Sequence, residues 1–193
     1  MHKKYITAFY FINNLNKQNV QNLNKNISII FRNYIQKHNI NKLIKFRNLC
    51  SSRGIKFYLS NDLKLAYKLN LDGAYIPAFN KKMNLITRNL RKKFQIIGSA
   101  HNLREIRIKE LQGCKFIFIS PLFKVNKKKK FLGVYQYKHL SNLTNKKTVA
   151  LGGINYKNFK KLKLLKCEFF ASISLIKKNG LKKIRPFNNF KKL

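Results

Sequence analysis

Short runs of β-branched and aromatic residues recur along the chain, each followed by a stretch of helical length in which apolar and polar positions mix. The runs begin near Tyr5, Ile27, Ile55, Gly73, Phe94, Lys115, Lys147 and Phe169 and predict eight strands. Two of the connecting stretches carry a helical period. In Asn41 to Ser52 the apolar positions are Leu43, Ile44, Leu49 and Cys50, and in Leu103 to Leu111 Ile106 and Ile108 recur. Strands that alternate with helices build a parallel sheet, because the helix supplies the crossover a parallel neighbour needs. Eight such compact units predict a single-domain (β/α)8 TIM barrel, with an open, doubly wound sheet as the structural rival.

A length of 193 residues suits one domain with a sizeable core. No low-complexity linker divides the sequence, so residues 1–176 are expected to form the barrel and 177–193 a basic final helix or tail. A hydrophobic content of 45% with 16 Phe argues against disorder. No run approaches the roughly 18 apolar residues of a membrane-spanning helix. Met1 to Lys4 lead straight into a strand-like run, which is not the pattern of a signal peptide. Cys50, Cys114 and Cys167 stand apart in apolar surroundings, as buried small hydrophobes of a reduced, cytoplasmic protein do.

Charge adds a second possible partner class. The 43 Lys and Arg against 5 Asp and Glu give a formal +38, a field that attracts polyanions, nucleic acid among them. The plainer reading is compositional, since Lys keeps company with Asn, Ile, Phe and Tyr, all residues of A/T-rich codons. Basic residues run the whole length instead of forming one stripe, so nucleic-acid binding is expected only through nonspecific charge. The stretch from Lys124 to Lys130 and the tail after Lys177 are the densest.

Candidate chemistry sits at the strand ends. The seventh run passes into Gly152-Gly153-Ile154-Asn155, where glycines let the backbone approach an anion and offer it N–H donors. The eighth ends at Ser174, whose hydroxyl and the amides that follow would complete a phosphate cradle of the kind found after the last two strands of such barrels. A Gly-Gly pair also serves a plain tight turn. Asp62, after Asn61, reads from its position as an acidic first-turn or capping residue of the next helix. His101 reads as a base near Ser99 or, more simply, as a residue that orients the turn or caps the next helix. Lys127 to Lys130 form either a solvated loop or a lid that draws phosphates.

The order of these pieces resembles the thiamine phosphate synthase and thiazole tautomerase family over roughly residues 5–176. The resemblance rests on Asn61-Asp62 after strand three, Asp72-Gly73 in strand four, and Gly98-Ser99-Ala100-His101 after strand five. It continues with Ser120-Pro121-Leu122-Phe123 leading to lysines, Gly152-Gly153-Ile154, and Ile173-Ser174. It implies a TIM barrel that transfers a pyrimidine-methyl group from hydroxymethylpyrimidine pyrophosphate to the nitrogen of a thiazole phosphate, with Mg²⁺ neutralising the departing pyrophosphate. Carried over position by position, Arg32 grips pyrophosphate and Asn61 meets the pyrimidine. Asp62 is a magnesium ligand, Ser99 contacts substrate, and Lys128 is the lysine of the loop after strand six. Gly152 and Gly153 with Ser174 hold the thiazole phosphate.

The chain departs from that family pattern in its pyrophosphate half. Where the family carries Gln-x-Arg-x-Lys, this sequence has Ile30-Phe31-Arg32-Asn33-Tyr34, which leaves Arg32 alone. Where the family carries His-x-Gly-Gln-x-Asp, it has Tyr75-Ile76-Pro77-Ala78-Phe79-Asn80, with neutral Asn80 in place of the second magnesium carboxylate. The Thr-x-Thr before the lysine is Val125-Asn126-Lys127, and Pro121 stands where the tautomerases have a histidine. The expected function is therefore a thiamine-phosphate-synthase-like transferase with a reduced pyrophosphate and Mg²⁺ subsite. The alternatives are an altered-substrate or non-catalytic phosphate-binding barrel, or a basic nucleic-acid binder.

Overall fold

The computed structural model describes residues 7–34, 38–83, 90–125, 130–165 and 168–179. Eight strands close in sequence order: β1 (Thr7–Ile12), β2 (Ile27–Phe31), β3 (Phe57–Ser60), β4 (Gly73–Ile76), β5 (Gln95–Ala100), β6 (Phe116–Ile119), β7 (Lys147–Leu151) and β8 (Phe169–Ala171). Every neighbouring pair is parallel, and β8 returns to β1 through Ala8 beside Phe170. The open-sheet alternative is excluded by that closure. All strand C-terminal ends consequently share one rim.

The connecting elements are α1 (Gln18–Gln21), α2 (Ile40–Ser52), α3 (Leu63–Lys68), α4 (Leu103–Leu111), α5 (Gly133–Asn142), a 3₁₀ segment at Phe159–Leu165, and α6 (Ser174–Asn179). Short polar side chains start several of them. Asn39, Asp62 and Asn102 each accept a hydrogen bond from the amide three residues on, which satisfies a donor at the helix start. At α4, Glu105 reaches back to the amide of His101 at 2.7 Å, a reciprocal cap. The outer layer is thin beside β1, where the single turn of α1 leaves a groove of about 750 Å³ lined by Asn13, Phe31, His38, Lys42 and Phe46 among others.

Alternation along the strands divides the core in two. Phe9, Phe11, Ile30, Tyr58, Tyr75, Ile97, Phe116, Phe118, Val149 and Ala171 fill the barrel interior. Their strand neighbours, such as Ala8, Tyr10, Ile29 and Leu59, pack outward with helix residues including Leu43, Phe46 and Ile106. Aliphatic residues usually fill such interiors. Here rings meet edge to face, Phe9 on Phe118 at 4.8 Å and Phe11 on Tyr75 at 5.2 Å between centroids. The Tyr75 hydroxyl lies within reach of Ser99, Tyr34 and Arg32.

Candidate active site

The rim on the side of β2 to β5 is a connected cluster. Arg32 follows β2, with its amide on the carbonyl of Ile12 and its guanidinium 5.6 Å above the Phe11 ring. Tyr34, two residues on, accepts a hydrogen bond from the hydroxyl of Ser60 at the end of β3 (2.9 Å) and packs edge-on against Phe79 at 5.4 Å. Tyr75, at the top of β4, shares a hydrogen bond with Ser99 of β5. Burial lifts the Tyr75 phenol well above its ordinary value, against the opposing pull of the Ser99 bond and of the Arg32 charge. Burial also raises the Tyr34 phenol, which the Ser60 bond and Arg32 counteract. Arg32 is thus the cation of a rim cluster that includes two phenols and two serines.

Asn61 takes the left-handed backbone conformation (φ 63°), which asparagine tolerates better than most residues. Its side-chain oxygen accepts the Nδ2–H of Asn80 at 2.8 Å, joining the loops after β3 and β4. Asp62 is the cap of α3 and takes the Leu65 amide on Oδ1 at 2.9 Å. Among the described residues no three or more His, Cys, Asp or Glu side chains gather into a metal-binding cluster.

His101 has its Nδ1 at 2.6 Å from the Ser120 carbonyl oxygen, to which it donates. That bond fixes the imidazole against the end of β6. The Ser120-Pro121 peptide is cis.

The opposite side of the rim carries Gly152 and Gly153, with φ of 99° and 68°. A methyl group on Gly153 would stand 2.6 Å from the carbonyl oxygens of Phe123 and Lys124, and one on Gly152 2.9 Å from Pro121. Both glycines are therefore required by the close passage of the loop after β6, as well as by their backbone conformation. The carbonyl of Gly152 accepts the Phe123 amide, and that of Gly153 accepts the Asn158 side chain at 2.8 Å. Ser172 donates to the carbonyl of Ile154 and accepts the Leu175 amide, so it ties the glycine turn to the start of α6, where Ser174 stands exposed. Lys128, with residues 126–129, lies outside the described residues.

Arg32, Asn61, Asp62, Ser99, Gly152, Gly153 and Ser174 thus all lie at strand C-terminal ends or in the segments just after them. Tyr34, Ser60, Tyr75, Phe79 and Lys109 were not singled out by sequence. Lys109 is the least expected, being fully buried on α4. The one signal for it is its position three residues after Ile106, on the same helix face.

Comparison with known proteins decides which barrel this is. Residues 14–176 match the family described as "Thiamine monophosphate synthase". The chain belongs to the thiamine monophosphate synthase family. The thiamine-phosphate synthase of Pelagibacter ubique (strain HTCC1062) is 32% identical over 176 residues, covering 88% of this chain and 83% of that protein. That of Methanococcus vannielii is 28% identical over 134 residues, 68% of this chain and 65% of its own. Among solved structures, thiamine phosphate pyrophosphorylase from Pyrococcus furiosus superposes with a TM-score of 0.68 at 16% identity, covering 87% and 86% of the two chains. A structure described as "Native KDPGal structure" reaches 0.64 at 11% identity, so at this level the barrel is shared more widely than the family. Membership makes the chain an enzyme of the thiamine-phosphate-synthase type.

Proposed function

We propose that this family member joins hydroxymethylpyrimidine pyrophosphate to thiazole phosphate, using the two sides of the rim as two anion sites. The arrangement that carries the reading is the pairing of the Arg32 cluster on one side with the Gly152-Gly153 turn and Ser174 on the other. In the reaction the thiazole nitrogen forms a bond to the pyrimidine methylene carbon. The bond from that carbon to pyrophosphate breaks, and the leaving group departs with the electron pair. No proton shuttle is needed, so charge stabilisation dominates.

Arg32, backed by Phe11, meets the pyrophosphate, and Lys128 adds a second cation from its loop. Asn61 and Ser99 orient the pyrimidine, and the glycine amides and Ser174 receive the thiazole phosphate. Tyr34, held by Ser60 and packed edge-on against Phe79, stands beside the Arg32 charge.

The donors at hand fit Mg²⁺, which takes hard oxygen ligands and keeps several waters. Asp62 uses Oδ1 for its helix cap, which leaves Oδ2 for a cation. When bound, the ion neutralises developing charge on pyrophosphate. Buried Cys50 and Cys114 are free thiols, in keeping with a reduced, cytoplasmic setting. Among the described residues no helix is long and apolar enough to cross a membrane.

Incubating purified protein with both substrates and Mg²⁺ should yield thiamine phosphate and pyrophosphate in equal amounts, with kcat/KM falling by at least about 100-fold in Arg32→Ala. Absence of product from folded protein at high enzyme concentration would overturn this and leave a phosphate-binding barrel.

A further inference from the structure

We propose that Lys109, with Gln112, is a positioning residue: a buried ammonium post that holds the loop after β4 so that Asn80 meets Asn61. Only the kinetic part of its test rests on the function proposed above.

The loop Pro77–Lys82 has little else to hold it. Phe79 is 64% exposed, and Lys81 and Lys82 are exposed cations that gain nothing by burial. Lys109 reaches up from α4 with no accessible surface. Its Nζ donates to the Pro77 carbonyl at 3.0 Å, the Asn80 carbonyl at 2.8 Å and Gln112 Oε1 at 2.8 Å. An ammonium has three N–H donors, so all of them are satisfied. Gln112, equally buried, turns its own amide to the carbonyls of Asn80 (3.1 Å) and Lys82 (2.8 Å).

Four hydrogen bonds from Lys109 and Gln112 thus end on three loop carbonyls. Bonds from a charged donor in a buried site are stronger than neutral ones, and a carbonyl left without its donor there is costly. The consequence at the rim is direct. With its carbonyl fixed from below, Asn80 presents Nδ2 to Asn61 and Oδ1 to the Lys82 amide at 3.0 Å. A loop with no carboxylate and no large buried side chain keeps its shape by this means.

Hydrogen exchange of the full chain tests the proposal on the amides of Asn80 and Lys82, which bond to the Pro77 carbonyl and to Asn80 Oδ1. In Lys109→Met, exchange in residues 77–82 should rise about tenfold or more while β5 and β6 keep their wild-type rates. Gln112→Leu should do the same and decides the matter if Lys109→Met does not fold. Unchanged loop exchange, or a rise spread evenly over the barrel, would overturn the proposal and leave Lys109 an ordinary core residue. Where the wild type turns over, KM for the pyrimidine pyrophosphate should rise about tenfold and KM for thiazole phosphate stay within about twofold. Equal changes in both would also count against it. The exchange result stands without any turnover, so failure of the functional reading is separable from failure of this one.

Discussion

Asn80 donates its Nδ2–H to Oδ1 of Asn61 at 2.8 Å, so the loops after β3 and β4 are joined at the rim by a neutral amide pair. Two amides can meet in this way without a cation between them. A carboxylate at position 80 would instead need one, because Asp62 stands next to Asn61. The amide pair therefore holds the two loops together without a cation.

Restoring the charge should shift that balance. Asn80→Asp keeps an oxygen for the Lys82 amide but loses the bond to Asn61, and it adds a second hard anionic ligand. The Mg²⁺ concentration for half-maximal rate should fall by roughly tenfold. An unchanged Mg²⁺ titration would show that position 80 has no part in cation binding.

Asp62 carries two roles that substitution can separate. Asn caps a helix about as well as Asp, so Asp62→Asn should stay within about 0.5 kcal/mol of wild-type stability, whereas Asp62→Ala should lose about 1 kcal/mol. Both should lower Mg²⁺-dependent turnover by about tenfold or more if the carboxylate holds the ion. Full activity in Asp62→Asn would leave Asp62 a cap alone. Urea unfolding beside initial rates makes the comparison.

Stability should pass through a maximum near pH 9. Burial pushes the Lys109 ammonium down from 10.5 to about 8, partly offset by Cys114 and Glu105. Between those values the unfolded chain binds more protons, so stability rises with pH. Burial pushes the Cys50 and Cys114 thiols up from 9.0 to about 12, and above pH 9 the folded chain binds more protons there, so stability falls. Each group acts with a limiting slope of about 1.4 kcal/mol per pH unit. Urea midpoints from about pH 7 to about pH 10 should rise and then fall in the wild type, and the rise should be missing in Lys109→Met. An identical profile in the two proteins would rule out the assignment to Lys109.

The barrel was readable because its strands are dense in β-branched and aromatic residues. Seven of the eight expected starts lie within two residues of those observed, and the eighth, Tyr5, precedes the described residues. The span Leu103 to Leu111 is the observed helix, since Asn102 caps it and Gln112-Gly113 ends it. Periodicity was silent on α1 and on the 3₁₀ segment, which are too short or too irregular to carry a phase. Ordered motifs pointed to Arg32, Asn61 and Ser99, which the fold places at or just after strand C-terminal ends. Tyr34, Ser60 and Phe79 come together only through tertiary contacts between loops far apart in sequence. Lys109 escaped because a lysine in a helix is read as solvent-facing, and only the folded chain brings carbonyl oxygens to its end.

The passage that Lys109 takes is opened by a glycine. A methyl group on Gly98 would lie 2.8 Å from Lys109 Cδ and 2.9 Å from Cys114 Sγ. Gly98, which directly precedes Ser99 in β5, here serves as the bore of a shaft. Positions 98, 109 and 114 consequently form one steric unit, and anyone grafting this rim onto another barrel must carry all three together.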